Sequence, residues 1–203
     1  TFRSSKQVEK SRDLFLKAYD IAVGYKEDNL AVDAAHMMGI IEPFEEAQRW
    51  NELAMEIAEK SNDKKAKKWL GPLYNNTAWN YHDNNDFNEA LELFEKNVVW
   101  HTERNSKQEL IIAKWSVARA LRSLDKINKA IKLQLELIDE IEEKGLDDDG
   151  YVFEELGELY LIKENEEESK KYFGLAYDLL SKDKWFVEYE KERLDRIKEL
   201  GGK

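Results

Sequence analysis

The sequence predicts an all-α chain of antiparallel helix pairs, and three observations carry that expectation. Apolar residues recur three and four positions apart along nearly the whole chain, the spacing of one helix face. Only two prolines and nine glycines occur among 203 residues, which leaves little material for strands or long loops. Short polar clusters, such as 61–63 and 83–86, interrupt the pattern where turns are needed. The pattern is clearest from Tyr151 to Asp183. There Phe153, Leu156, Gly157 and Tyr160 share one helix side, and after an acidic turn Ser169, Phe173 and Ala176 follow at spacings of four and three. The small residues let one helix lie close on its neighbour, and the bulky ones fill the space beside them.

Taken in order, the chain opens with a helix over 5–25, whose stripe is Val8, Ser11, Phe15, Ala18 and Ala22. Ser11, Phe15 and Ala18 repeat the spacing of Ser169, Phe173 and Ala176. This helix reads either as the second half of a pair whose first half is absent or as an ordinary amphipathic capping helix. A pair over 28–61 follows. Ala31, Ala34, Ala35 and Met38 line its first helix, and Phe44, Ala47, Asn51 and Ala54 its second, with Pro43 suited to the helix start. The pair over 64–104 begins after the N-cap candidate Asp63. Gly71–Pro72 predicts a kink or a short helix before a new start. Tyr74, Ala78 and Tyr81 then face Phe87, Ala90, Leu91, Phe94 and Val98 across the turn. The pair over 107–144 sets Val117, Ala118 and Leu121 against Ile127, Ala130, Ile131, Gln134 and Leu137. The pair over 147–182 is the stretch described above. A closing helix over 184–200 has Trp185, Tyr189, Leu194 and Ile197 as its apolar side.

The key small residues of the second helices, Ala47, Ala90, Ala130 and Ser169, lie 43, 40 and 39 residues apart. With its bulky–bulky–small–bulky, small–bulky–small alphabet, this resembles the tetratricopeptide repeat (TPR), a helix–turn–helix unit of about 34 residues in its standard form. The longer spacing makes it similar to the long-repeat branch, as in kinesin light chain and Pins-like arrays. The resemblance implies one TPR-like domain over 1–203, a right-handed superhelical α-solenoid. It also implies a concave groove lined by the first helices of the pairs. Carried over position by position, that groove takes Asn29, Asp33 and His36 from the first pair and Asn75, Asn76, Trp79 and His82 from the second. Ile112, Trp115, Arg119 and Arg122 come from the third, and Glu154, Glu155 and Glu158 from the fourth. Independently of the resemblance, Asn75, Trp79 and His82 share one helical face, as do Ile112, Trp115, Arg119 and Arg122. Tryptophan and arginine on a face off the core suit a peptide groove, where arginine binds carboxylates in a fork. Trp79 and Trp115 read equally well as packing between adjacent helices. The expectation is that Trp79, Trp115, Arg119 and Arg122 converge on one patch for an acidic or C-terminal peptide. Chaperone-tail binders of the family clamp a C-terminal carboxylate with Lys, Asn and Arg. Asn76 and Arg119 match such positions here, but the lysines are absent.

Composition narrows the function classes. The net charge of −11 disfavours generic binding to nucleic acid. No cysteine occurs, so there is no disulfide, thiol nucleophile or zinc–cysteine site. No apolar run reaches membrane-spanning length and no signal-peptide pattern occurs, which predicts a soluble, cytoplasmic protein without a membrane partner. Lys64, Lys65, Lys67 and Lys68 read as solvated helix surface, with docking to an acidic partner as the lesser reading. Asp147–Gly150 fails as a calcium loop, because aligning its glycine puts Gly145 and Leu156 at ligand positions. The chain has no phosphate loop, dinucleotide fingerprint or nucleophile elbow. The reading is therefore a non-enzymatic adaptor or scaffold without cofactor or metal, binding a peptide or protein segment. Two alternatives stay open: a self-assembling unit that dimerises through its N-terminal helix, and a metal-dependent enzyme using His36 and His82.

Overall fold

A computed structural model describes residues 5–203. The described residues form helices α1 (Ser5–Tyr25), α2 (Asp28–Ile41), α3 (Phe44–Lys60), α4 (Lys64–Lys68), α5 (Leu70–Asp83) and α6 (Phe87–Glu103). They continue with α7 (Lys107–Ser123), α8 (Ile127–Glu143), α9 (Gly150–Ile162), α10 (Glu166–Leu180), α11 (Lys184–Tyr189) and α12 (Lys191–Leu200). No strand occurs among the described residues. The chain divides into two compact units, the first ending at Asn105 and the second spanning Ser106–Lys203.

In the first unit α2 packs on both α1 and α3, and α5 packs on α6 and α3. The apolar stripes read from the sequence are the buried ones. Ala35, Ala54, Ala78, Ala90 and Phe94 are fully enclosed. Asp63 caps α4 by accepting a hydrogen bond from the Lys65 backbone N–H at 2.8 Å. The interruption expected at Gly71–Pro72 falls two residues earlier, at Trp69, where α4 ends and α5 begins. Pro72 thus sits in the first turn of α5, where its missing N–H costs no helix bond. Gly71 is needed for a different reason. A Cβ there would stand 2.7 Å from the Trp100 indole nitrogen on α6.

The second unit is built the same way. On the α9–α10 pair, Phe173 lies directly over Gly157, where an added Cβ would come within 2.9 Å of its ring. The Ser169 hydroxyl donates to the Gly157 carbonyl oxygen at 3.0 Å. Phe153, Leu156, Tyr172, Phe173, Ala176 and Leu180 join Phe186, Leu194 and Ile197 in one core cluster. The closing helix differs from the expected single element over 184–200. It breaks at Glu190 into α11 and α12. Asp183 caps α11 by accepting from the Trp185 and Phe186 backbone N–H groups. This turns Phe186 inward, fully buried, and leaves Trp185 and Tyr189, expected on the apolar side, 53% and 64% exposed. Leu194 and Ile197 face the core as expected.

The turns share one device. Lys26, Asn85, Asn105, Asp125 and Glu164 have positive φ, as does Gly145, and from Asn85 onward they recur about every twenty residues. Each sits at a helix C-terminus, and Asn, Asp and Gly are the residues that enter the left-handed region most readily.

If packing rests on these small residues, Ala90→Leu and Ala130→Leu should each lower stability by about 1–3 kcal/mol through overpacking. The readout is the urea midpoint at unchanged slope, and unchanged midpoints for both variants would refute the register.

Candidate binding faces of the first helices

In the second unit the first helices carry alternating charge. Arg119 and Arg122 on α7 meet Glu155 on α9. Glu154 and Glu158, also on α9, meet Arg193 and Arg196 on α12. Arg122 grips Glu155 with two bonds, from Nε to Oε1 at 2.7 Å and from Nη2 to Oε2 at 3.1 Å. Arg193 grips Glu154 in the same fork, both contacts being 2.7 Å. Glu154 and Glu155 are buried, at 6% and 2% exposure. The arginines expected to await a ligand carboxylate therefore already hold one from their own chain.

Arg119 is the exception in degree. Its Nη1 reaches Glu155 Oε2 only at 3.4 Å, and its side chain is 30% exposed. Its Nε is buried without a hydrogen-bond partner. A guanidinium has five N–H donors in a fixed fork, so Arg119 keeps capacity that Arg122 has used. Along the same helix face Trp115 is half-buried, its ring edge-on to Tyr151 at 5.8 Å and packed against Ile111, Leu137, Ile141 and Val152. Ile112 is 44% exposed. The face thus runs apolar, aromatic, cationic.

Burial acts on Glu155 more strongly than its arginines do, and pushes its carboxyl up to about 7. The neighbouring carboxylates Glu154 and Glu158 add to the rise, while Arg122 opposes it.

In the first unit the expected groove residues fall into three settings. His36 is buried on α2, with its ring 5.6 Å from that of Trp69, and burial holds the imidazole below its usual range. Asn29 accepts from the Trp69 indole N–H at 3.2 Å. Both residues thus brace the α4–α5 junction. Asp33 is half-buried and borders an apolar groove shared by α1 and α2. On α5, Trp79 packs edge-on against Phe94 at 5.0 Å and against His82 at 5.2 Å, and His82 lies 5.1 Å from Phe87. Trp79 and His82 therefore belong in large part to the packing of α5 on α6. Asn76 is exposed and accepts from the Asn75 amide, while Asn75 Oδ1 is buried without a hydrogen-bond partner. Among the described residues no group of three His, Cys, Asp or Glu side chains is placed to hold a metal ion.

Sequence reading missed Arg193 and Arg196 as members of this charged set. The signal was available, since they follow Glu154 and Glu158 by 39 and 38 residues. That is one repeat length, so equivalent helices place them side by side.

Comparison of the fold with solved structures decides its class. BtubC (BKLC) from P. vanneervenii superposes with a TM-score of 0.74 at 14% identity, over 100% of this chain and 85% of that one. The nearly identical TPR-like repeats of a Podosopora anserina protein assigned to kinesin light chain match in two structures. One, a point variant, has a TM-score of 0.70 at 16% identity, over 87% of this chain and 88% of that one. The other has a TM-score of 0.68 at 17% identity, over 84% and 86%. The fold is a TPR-like helical repeat. No protein-family model matches the sequence, and no curated protein matches it. A fold of this kind does not by itself fix a function. No helix among the described residues is long and apolar enough to cross a membrane.

The raised Glu155 carboxyl fixes the sign of a pH effect. Its stabilising contribution is complete below the ordinary glutamate range and is lost as pH rises through about 7. Wild-type protein should therefore lose stability relative to Glu155→Gln between pH 5 and pH 8. Urea midpoints of the two proteins across that range give the test, and a constant difference would contradict it.

Proposed function

We propose that this chain is a non-enzymatic protein-interaction module that binds a peptide or protein segment on the faces of its first helices. The observation that carries the reading is Arg119. It is a half-buried guanidinium with one long carboxylate contact and a buried Nε lacking a hydrogen-bond partner, set beside the Trp115 ring and the exposed Ile112. A segment with an acidic side chain or a C-terminal carboxylate next to an apolar residue fits that order of groups. The carboxylate takes the spare donors of Arg119, and the apolar neighbour rests on Ile112 and the outer edge of the Trp115 ring. Arg122 acts chiefly through Glu155, which it holds in place. In the first unit the ligand-binding residues are Asn75 and Asn76, whose amides pair with an extended backbone. Trp79 and His82 set that face against α6, whereas Asp33 and His36 lie on α2, the one at the groove beside α1 and the other against Trp69. The net charge of −11 opposes an acidic ligand at long range, but at physiological salt the screening length is about 8 Å, so local groups dominate at contact.

The test uses acidic peptides selected for binding from a displayed library. Arg119→Ala removes only a weak internal pair and should melt like wild type. It should weaken binding by roughly 2–5 kcal/mol if the contact is buried in the complex, and by much less at a rim. Arg122→Ala leaves Glu155 with its main partner gone and should destabilise the fold itself by about 3–5 kcal/mol. Unchanged affinity of Arg119→Ala for every selected peptide would remove α7 from the binding face.

A further inference from the structure

The three buried or half-buried carboxylates of α9 are not matched evenly by arginines. Glu154 pairs with Arg193 and Glu158 with Arg196, both from α12. Glu155 pairs with two, Arg119 and Arg122 of α7. The fork of Arg122 already satisfies both oxygens of Glu155, so Arg119 reaches the same carboxylate as a second cation. The Arg119 side chain is 30% exposed and that of Glu155 only 2%. Glu155 thus meets Arg119 from inside the fold, while solvent reaches the same guanidinium from outside. A carboxylate that docks on Arg119 from solvent shares one guanidinium with Glu155, and two like charges on one group repel.

The groups around Glu155 leave that repulsion in place. Glu154 and Glu158 on its own helix are carboxylates occupied by the α12 arginines. From α8 and α10 the α9 core receives apolar and aromatic side chains, among them Ile131, Leu135, Tyr172 and Phe173. The nearby lysines are engaged on α8, Lys114 of α7 with Glu140 and Lys163 of α9 with Asn128.

We propose that Glu155 is an internal gate on the carboxylate site of α7: charged, it competes for Arg119 and repels a ligand carboxylate, and neutral, it leaves Arg119 to the ligand. The gate presupposes that Arg119 is the ligand contact of the proposed function, and adds that filling this contact takes up a proton from solvent. Burial lifts the Glu155 carboxyl to about 7, so the gate changes state near neutral pH. An anion on Arg119 favours neutral Glu155, and neutral Glu155 favours the anion, by the same factor. Affinity for a carboxylate ligand therefore rises as pH falls through about 7. The ligand's own carboxylate, with an ordinary pKa of about 4, keeps its charge over that range.

The probe is a fluorescently labelled, histidine-free acidic peptide selected from the displayed library. The unmodified chain should bind it roughly tenfold more tightly at pH 6 than at pH 8. Glu155→Gln keeps the shape and loses the charge, and should bind at both pH values as tightly as the unmodified chain does at pH 6. Calorimetry of the unmodified chain at pH 8, in two buffers of different ionisation enthalpy, should show proton uptake on binding. That measurement and the pH profile decide the matter without any variant, should Glu155→Gln fail to fold. An affinity constant from pH 6 to pH 8, with Arg119→Ala still weakening binding, would overturn the gate and leave Arg119 as the ligand contact. The same pH dependence in Glu155→Gln would also overturn the gate, since another group would then carry the proton. Full binding by Arg119→Ala would overturn both readings.

Discussion

Phe173 lies so close over Gly157 that a single added carbon would stand 2.9 Å from its ring. That contact sets the α9–α10 spacing, and the rest of the second unit depends on it. With the helices this near, Ser169 reaches the Gly157 carbonyl oxygen, Ala176 is sealed, and Phe153, Tyr172 and Leu180 close around the seam. A larger residue at 157 would move α10 outward and loosen all of these together, because a close-packed interior cannot absorb a methyl group locally. Ala90 and Ala130 are enclosed in the same way on α6 and α8, and Ala54 on α3. The fold is thus one steric rule applied pair by pair.

The charges follow from that rule rather than competing with it. Helices stacked at a fixed spacing bring equivalent positions of successive first helices opposite one another. A carboxylate buried by such stacking is tolerable only with a cation in reach. Glu154 and Glu155 are buried by the fold, and α12 and α7 each supply a forked arginine. Such pairs add little net stability over apolar residues of the same volume, since desolvation offsets most of the attraction. Their stronger effect is on position. A forked pair tolerates little sliding, so Arg193 fixes where α12 lies along α9. Glu155 shows the strain between the two demands. It has two arginines, yet burial still lifts its carboxyl to about 7.

The helix pairs were legible in the sequence because the steric rule is local and periodic. The stripes around Ala35, Ala54, Ala90, Ala130 and Phe173 were readable from spacing alone, and each of those residues is fully enclosed. Two features were less legible, for physical reasons. The sequence points to a break at Gly71–Pro72 rather than at Trp69, because proline is the usual helix breaker. Here proline occupies the first turn of α5, where its missing donor is harmless. The break at Glu190 has no proline or glycine at all. At Glu190 the backbone simply leaves helical geometry, with φ −117° and ψ 33°, and the local sequence carries no breaker to announce it. The binding faces were harder still. Whether Arg119 is available depends on what stands one repeat away, and Glu155 lies 36 residues along the chain. A reading that takes one helix at a time sees a free arginine, and only the repeat length shows its partner.

Nearest-neighbour stacking has a further consequence for the first helix. In a repeat protein each unit buries its apolar side against its neighbours and turns its polar side to solvent. Helix α12 divides in that way. Leu194 and Ile197 point inward, while Lys191, Glu192, Asp195 and Lys198 are exposed. Helix α1 does not. Among its described side chains only Ala22 is buried, and Leu14, Ile21, Val23 and Tyr25 remain about half-exposed or more. The difference cannot be laid to weak patterning, because α1 has the same serine–phenylalanine–alanine register that seals α10 completely. The register is a stacking surface, and how far it is sealed depends on the helix packed against it. A shared register thus fixes which side of a helix packs, while the small residue beneath each large one, as Gly157 is beneath Phe173, fixes how closely it packs.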